Sequence, residues 1–583
     1  MSIDPVWVPQ TTRPEVLGTK YVVSAGHYLA SAAGIRILDA GGNAFDAGVA
    51  AALCINVVQA DMTNLGGVAP IAIYDAKRGV VETISGLGWW PEKVDISAFG
   101  RETGGRITGG ILDVVMPAAA DAWLTVLERY GTMTLAEVAA PAIELCEDGF
   151  PLHTVMDDSF KNGHWREQVL KWPSTRDIFA PGGEFPQVGD RIVQRDLGRT
   201  LRKLVEAESA CEGSREDGIR AARDRFYTGD IAEMMVAFIQ EEGGWLSMDD
   251  LAKFHVEVEP GVSIDYHGYQ VYACDTWCQG AVVPMTLNIL EGWDLSALEP
   301  GSVELIHLEL EALKAAFADR ERYFGDPHFT RVPMDGLLNK EYGGLWRDRL
   351  SATEAQPGMP EPGDPWPFSS LTPDHRPWTP PTAKEGPSWP DTSYLCVVDA
   401  EGNAFSATPS DGIVTGPVVP GLGFSVSGRG SQSWLDPEHP FFVTPYKRPR
   451  LTPSPGMVLK DGKLAMPYGS PGNDVQPQAM VQFLVNFIDF GMNVQAAIEA
   501  PRVATYSFPR STDPHPYTPG FTQIEGRFEP GVAEGLRALG HDVYEWPDWA
   551  GTAGSINAIY RDAKRGVLRG GADPRRIAYA IGR

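Results

Sequence analysis

An α+β fold is expected from three features of the chain: stretches of helical apolar spacing ahead of residue 355, a strand–turn–strand pattern at 394–407, and a Pro-rich tract between them. Ser31 to Ala40 has helical spacing and closes on Gly41-Gly42, which accept the left-handed backbone that ends helices. Asp46 to Gln59 is Ala-rich and apolar enough for a buried helix. Ile306, Leu310, Leu313 and Phe317 recur at helical spacing in an Ala- and Glu-rich run, the stripe of an amphipathic helix. All three read as scaffold. From about Ala355 to Pro390 the composition turns to Pro, Gly, Ser, Trp and Asp (Pro357, Pro360, Pro362, Pro365, Pro367, Pro380, Pro381), which holds neither helix nor central strand. This tract reads as a linker, and loops of such length inside compact domains are functional or disordered. A tether that swings away when its last peptide bond breaks, uncovering a pocket, is one expectation; an ordinary surface loop is the other.

Asp391-Thr392-Ser393 follows the linker directly. Tyr394 to Val398 is β-branched, aromatic or apolar, Asp399 to Asn403 supplies turn chemistry, and Ala404 to Ala407 resumes an apolar run, so a β-hairpin is predicted. Thr392 is thereby expected on a rigid edge at the start of a strand. If the Asp391–Thr392 bond is cut, one residue holds a hydroxyl nucleophile and a free α-amine of pKa about 7.7–8, which serves as its general base. A Thr opening a hairpin is equally read as an ordinary strand residue, and spacing leaves both readings open.

The 583 residues would allow roughly four domains on length alone. No charge block, repeat or low-complexity run divides them, so one large fold is expected. The excess of 76 acidic over 49 basic side chains, net −27, repels phosphate backbones and argues against a nucleic-acid partner. Six scattered cysteines make no disulfide framework, and Cys274 and Cys278 lack the second pair or His cluster of a zinc site. Gly41-Gly42-Asn43 lacks the G-x-G-x-x-G arrangement of a dinucleotide site. No cofactor and no metal are expected. Met1-Ser2-Ile3-Asp4-Pro5 has no basic region leading into an apolar core, and no run is long enough to span a bilayer, so a cytoplasmic protein without a membrane partner is expected.

Several motifs together resemble the γ-glutamyltranspeptidase family. Thr392, Tyr394, Val397-Val398-Asp399 and Gly402-Asn403 are similar to the start of that family's small subunit. Gly41-Gly42-Asn43-Ala44-Phe45-Asp46-Ala47 and Asn64-Leu65-Gly66-Gly67 resemble its opening signature. Phe226-Tyr227-Thr228-Gly229, Tyr266-His267-Gly268-Tyr269-Gln270-Val271, Lys447-Arg448-Pro449, Gly469-Ser470-Pro471-Gly472 and Ala500-Pro501-Arg502 continue it in order. The resemblance implies an N-terminal-nucleophile hydrolase, a four-layer αββα sandwich built by two subunits of one precursor: residues 1–391, ending in the linker at about 355–391, and 392–583, beginning with the nucleophile. A dimer of processed protomers stays open.

The resemblance also implies roles. Thr392 would cut the chain after Asp391 and then attack a substrate amide, while Ser410, in Thr408-Pro409-Ser410-Asp411, falls where the family places a hydroxyl that orients the nucleophile. Gly472 and Asn473 match a Gly-Gly turn whose N–H groups hold the oxyanion, with Asn in place of the second Gly. Leu87 takes the place of an Arg that binds the α-carboxylate of glutamate, Arg429 the place of an Asp that binds its α-ammonium, and Thr452-Pro453 the place of a Ser pair. A free α-amino group would meet a like charge. Lys447-Arg448-Pro449 and Asn473-Asp474-Val475-Gln476-Pro477-Gln478 look like the branch with cephalosporin acylase-type and oxamate amidohydrolase-type members. Arg429 is expected to bind a carboxylate on the acyl part, with Trp89 and Trp90 as an apolar wall and Asp474 among the substrate contacts. The alternative is that Arg429 pairs with an acidic side chain and both Trp residues are core. The expected function is a self-processing amidohydrolase of a small acidic N-acyl amide, through a Thr-linked acyl-enzyme; a γ-glutamyl hydrolase or transferase and a non-catalytic amide-binding descendant are the alternatives.

Overall fold

The computed structural model describes residues 11–107, 110–374, 376–386 and 392–583. Its frame is set by the run Leu395–Val398, a strand buried on both faces. That burial explains an apolar run without polar alternation. The strand pairs antiparallel with Ala404–Ala407 on one side, Leu395 opposite Ala407, and with Val22–Ala25 on the other. The predicted hairpin is therefore present, but in the middle of a sheet and not at its edge.

That sheet has seven strands in the order Tyr579–Gly582, Val22–Ala25, Leu395–Val398, Ala404–Ala407, Ile71–Asp75, Val80–Ile84 and Val258–Pro260. A second seven-stranded sheet runs Val16–Gly18, Val567–Ala572, Asn557–Asp562, Lys463–Gly469, Pro455–Lys460, Tyr269–Ala273 and Val262–Tyr266. Alternation along each strand sends one set of side chains between the sheets and the other toward helices. Tyr394, Cys396, Val398 and Ala404 meet Met457, Leu459 and Ile559 in the space between the sheets. Leu395, Val397, Phe405 and Ala407 join the core beneath the helices Tyr28–Asp39, Ala44–Val58 and Ala119–Tyr130. Val282–Leu290, Val303–Tyr323 and Gln476–Ile488 cover the second sheet through Val458, Met466 and Tyr468. The result is helix, sheet, sheet, helix, with a three-stranded sheet (Val503–Thr505, Phe521–Glu525, Asp542–Trp546) alongside.

The helix Ala44–Val58 is buried throughout and starts at a capping box between Asn43 and Asp46. A Cβ on Gly48 would lie 2.4 Å from the Phe405 ring, so only glycine lets this helix lie so close on the sheet. Asp399, in the hairpin turn, accepts from the backbone N–H of Ala44 and from the Asn403 side chain, both at 2.9 Å. A carboxylate at a helix N-terminus is favourable. The Gly41–Ala47 and Val397–Asn403 motifs, far apart in sequence, are thus joined in space.

The stripe from Ile306 to Phe317 lies on Val303–Tyr323, but this helix is not amphipathic in place. Ile306 and Leu310 pack on the small sheet, Leu313 and Phe317 on the large one, and charged residues are buried as well. Those charges are mostly paired: Lys314 with Glu311 at 2.7 Å, and Arg320 with Asp474 at 2.6 Å. Asp319 is held by hydrogen bonds from Tyr342, Trp346 and Gly363, while burial, with Asp489 nearby, pushes the Glu309 carboxyl up to about 8. A raised carboxyl pKa means the folded state holds a proton that the unfolded chain releases above about 4.5, so stability falls as pH rises from there to about 8. The thermal gain of Glu309→Gln over the wild type should therefore grow between pH 5 and pH 8, which scanning calorimetry across that range will read.

Much of the linker is docked on the body. Backbone N–H groups of Gln356, Met359 and Gly363 donate to Glu311, the Tyr517 hydroxyl and Asp319 at 3.1, 3.0 and 2.8 Å. Trp366–Phe368 forms a short 3₁₀ turn, and Lys384 bridges to Tyr517. A Pro-rich segment without partners of its own satisfies its remaining donors on buried acids of the body. Asp391, and with it the expected scissile bond, lies outside the described residues.

Candidate active site

Thr392 precedes the strand Leu395–Val398 and is fully buried. Its backbone N–H donates to Met62 O at 3.1 Å, and its carbonyl accepts from the Arg576 guanidinium at 3.2 Å. Ser393 is fixed next to it, N–H to Pro409 O at 3.0 Å and hydroxyl to Gln59 at 2.6 Å. These contacts hold Thr392 at φ +88°, a left-handed conformation that a β-branched residue strongly disfavours. Strain of this kind costs on the order of 1–3 kcal/mol and gathers where chemistry happens.

Ser410 follows the partner strand Ala404–Ala407, and its backbone bridges to Val68. This brings the Ser410 and Thr392 hydroxyl oxygens to 2.9 Å. Arg429 donates to the Ser410 oxygen at 2.6 Å and pairs with Asp411, which also accepts from Ser427. A guanidinium only donates, so Ser410 accepts from it and has its own hydrogen to direct at the Thr392 oxygen. Thr392, Ser410, Arg429 and Asp411 are all almost wholly buried, so this relay of hydroxyl, hydroxyl, cation and anion works in a low dielectric.

Gly472 and Asn473 form a turn with φ +126° and +51°. The left-handed backbone is thus kept with Asn in the second place. Gln279 braces it, donating to Asn473 O at 2.9 Å and Thr452 O at 3.0 Å. Gly472 and Asn473 line a cavity of about 230 Å³ together with Tyr506, Arg510, Trp546 and Arg576. Arg576 connects this cavity to the carbonyl of Thr392.

The remaining expected substrate contacts are engaged by the protein's own side chains. Arg429 is occupied by Asp411 and Ser410, so it acts on the nucleophile's neighbour and is not a carboxylate clamp; an acid one residue from Ser410 claims its charge. Leu87 is buried in an apolar cluster with Val68, Trp277 and Leu451. Trp89 is half-buried and packs edge-on to Phe254 at 4.9 Å against the core, and buried Trp90 donates to Ser433 at 2.9 Å within it. Thr452 accepts from Gln432 at 3.1 Å. Asp474 borders the cavity, but its carboxylate is held by Arg320 at 2.6 Å and by Ser511; burial opposes its charge, and Arg320 and Ser511 outweigh it and keep the carboxyl below its ordinary range. Asp411, Arg510 and Arg576 went unread in the sequence. An acid adjacent to Ser410 was the available signal for the first, and nothing local marks the other two.

Among the described residues two groups of side chains have the composition of a metal site: His307, Glu311 and His541, and Glu257, Glu259 and His328. In the buried group the histidines bond each other at 2.9 Å and Lys314 occupies Glu311, so the cluster is closed by its own hydrogen bonds.

Two antiparallel sheets between helical layers, with a strained Thr leading into a central strand, define an N-terminal-nucleophile hydrolase. The model of the family described as Gamma-glutamyltranspeptidase matches residues 30–582, and the chain belongs to that family. It is similar to the glutathione hydrolase-like YwrD proenzyme of Bacillus subtilis (strain 168), 34% identical over 97% of this chain and 99% of that one. The Acylase ACY 1 proenzyme of Pseudomonas sp. (strain SE83) is 31% identical over 93% of this chain and 90% of its own. The crystal structure of cephalosporin acylase from Bacillus halodurans matches with a TM-score of 0.84 at 29% identity, covering 100% of this chain and 99% of that one.

Proposed function

We propose that the chain cuts itself before Thr392 and then uses that residue to hydrolyse a small N-acyl amide. The observation that carries the reading is the hydroxyl pair of Thr392 and Ser410 at 2.9 Å, backed by Arg429, with Arg576 linking the Thr392 carbonyl to the cavity that the Gly472–Asn473 turn lines. In maturation the Thr392 oxygen attacks the carbonyl carbon of residue 391. The C–N bond breaks, a C–O bond forms, and the hydroxyl proton ends on the freed nitrogen. Water then hydrolyses the ester, leaving a carboxylate on residue 391 and restoring the Thr392 hydroxyl beside its new amine. In turnover that amine takes the hydroxyl proton as the oxygen attacks a substrate amide and passes it to the leaving amine. The N–H groups of the 472–473 turn receive the developing oxyanion, and water releases the acyl group.

Leu87 and Arg429 stand where the family's glutamyl enzymes place an Arg for the α-carboxylate and an Asp for the α-ammonium, so neither group is supplied at these two positions, which favours an acyl group without that zwitterionic end. The name of the Bacillus subtilis relative favours the γ-glutamyl reading instead. One panel decides between them. The purified protein is expected as two pieces, 1–391 and 392–583, by intact mass, releasing p-nitroaniline from simple acyl anilides faster than from the γ-glutamyl anilide. A faster γ-glutamyl reaction would select the second reading.

A further inference from the structure

A second cavity, of about 600 Å³, lies between the helices Val303–Tyr323, Gln476–Ile488 and Val494–Glu499 and the turn that follows the strand Phe521–Glu525. It shares no lining residue with the cavity at Gly472 and Asn473. Leu305, Ile306, Met492 and Phe528 give it apolar walls. Its polar groups are largely taken up by one another and by the backbone. Glu499 accepts from the Thr12 N–H at 2.7 Å, the Thr12 hydroxyl at 2.8 Å and Gln495 at 2.8 Å. Gln482 bonds the carbonyl and N–H of Val503 at 2.9 and 3.0 Å. Arg527 lies over the Trp549 ring at 3.6 Å and pairs with Glu525 at 2.9 Å. Glu309 differs from all of these. It is 5% exposed and lines the cavity, and among the described residues no group donates a hydrogen bond to it. A carboxyl taken out of water without a partner is costly, and a ligand that supplies the partner recovers that cost.

We propose that this cavity binds a small primary ammonium ion with a hydrocarbon tail, its head on Glu309 and its tail along Leu305, Ile306, Met492 and Phe528. Charge selects a cation. Glu499, Arg527 and Glu529 share the cavity with Glu309, and Asp489 lies near it, accepting from the Tyr266 hydroxyl at 2.9 Å and meeting His267 at 3.3 Å. Arg527 is the one basic residue on the described wall, and Glu525 already offsets it. A volume of about 600 Å³ falls within the ~300–1,000 Å³ of small-molecule sites. Ammonium and carboxylate attract more strongly in such a recess than in open solvent. Burial and Asp489 keep the Glu309 carboxyl protonated at neutral pH, with a pKa of about 8, so the ammonium gains its carboxylate by expelling that proton. Binding therefore releases close to one proton per ligand at pH 7, and affinity rises with pH until it levels above about 8. The site is independent of the assignment of Thr392 as nucleophile.

Hexylamine, hexan-1-ol and hexanoate share a tail and differ in the head group. Calorimetric titration of the purified protein at pH 7 should show hexylamine binding at least about tenfold more tightly than the other two, as a charge-assisted contact predicts. Repeating the titration in phosphate and in Tris, which differ in heat of protonation, should count close to one proton released per amine. Glu309→Gln keeps the shape and removes the charge. It should weaken hexylamine by about 10- to 100-fold and abolish the proton release. Glu529→Gln, at an exposed position, should weaken it by less than about threefold. Ala496→Phe fills the cavity while leaving Glu309 in place and should also block binding. Hexylamine held at the Thr392 site instead would bind Glu309→Gln as it binds the wild type, and that result would overturn the proposal. Hexan-1-ol binding as tightly as the amine, or no binding of hexylamine to the wild type, would overturn it as well.

Discussion

Thr392→Ala protein will run as one uncut chain and hydrolyse no acyl amide. The substitution removes the hydroxyl oxygen that lies 2.9 Å from that of Ser410 and, because the chain stays uncut, also prevents release of the amine that serves as base. Both roles fail together, so the loss should be at least about 10⁴-fold, the scale seen when a covalent nucleophile is deleted. Thr392→Ser keeps both groups and should still process. Thr392→Gly gives a sharper control, because glycine accepts φ +88° without penalty. It should be as inactive as the Ala variant yet more stable, by up to the ~1–3 kcal/mol that the strained conformation costs. Intact mass, anilide release and a thermal scan of the three variants separate chemistry from strain. An Ala variant that arrives as two pieces would end the nucleophile assignment.

Arg429→Met should be the most damaging change that leaves the nucleophile in place. Its guanidinium is 3% exposed, and it faces an Asp411 that is 1% exposed. Removing the cation leaves that carboxylate buried and without its charge partner, which costs about 3–5 kcal/mol. The double variant Arg429→Met, Asp411→Asn removes both charges and should recover most of the stability. It should not recover the rate of self-cleavage, because Ser410 still lacks the donor that leaves its own hydrogen for Thr392. Thermal scans and a time course of processing read the two effects apart. If the double variant processes at the wild-type rate, Arg429 only stabilises the fold.

The hairpin and the first two helices were legible because their signals are local. Apolar runs, turn residues and Gly41-Gly42 fall within a few positions of one another, and the structure sets the helices at Tyr28–Asp39 and Ala44–Val58. The motif resemblance carried the layer order. What local reading missed depends on distant partners. The stripe from Ile306 looked amphipathic because its charges look solvated in sequence, yet Asp474, from the far end of the chain, holds Arg320. Pairing of Arg429 with an acid was one of two open readings, and spacing could not choose it because the partner, Asp411, is a turn residue with φ +71° whose direction no spacing rule gives. Arg510 and Arg576 meet at the cavity only because the three-stranded sheet and the last turns of the chain fold against the Gly472 turn.

The sheet order has a consequence for the life of the cut protein. Val22–Ala25 and Ile71–Asp75 come from before Thr392, whereas Leu395–Val398, Ala404–Ala407 and Tyr579–Gly582 come from after it, and they are interleaved in one sheet. The other sheet mixes the two origins in the same way, with Tyr269–Ala273 against Pro455–Lys460. Neither fragment owns a complete seven-stranded sheet, so scission at one bond cannot free them. Each is the other's missing half, and parting them would expose the strand edges and apolar faces that both had sealed.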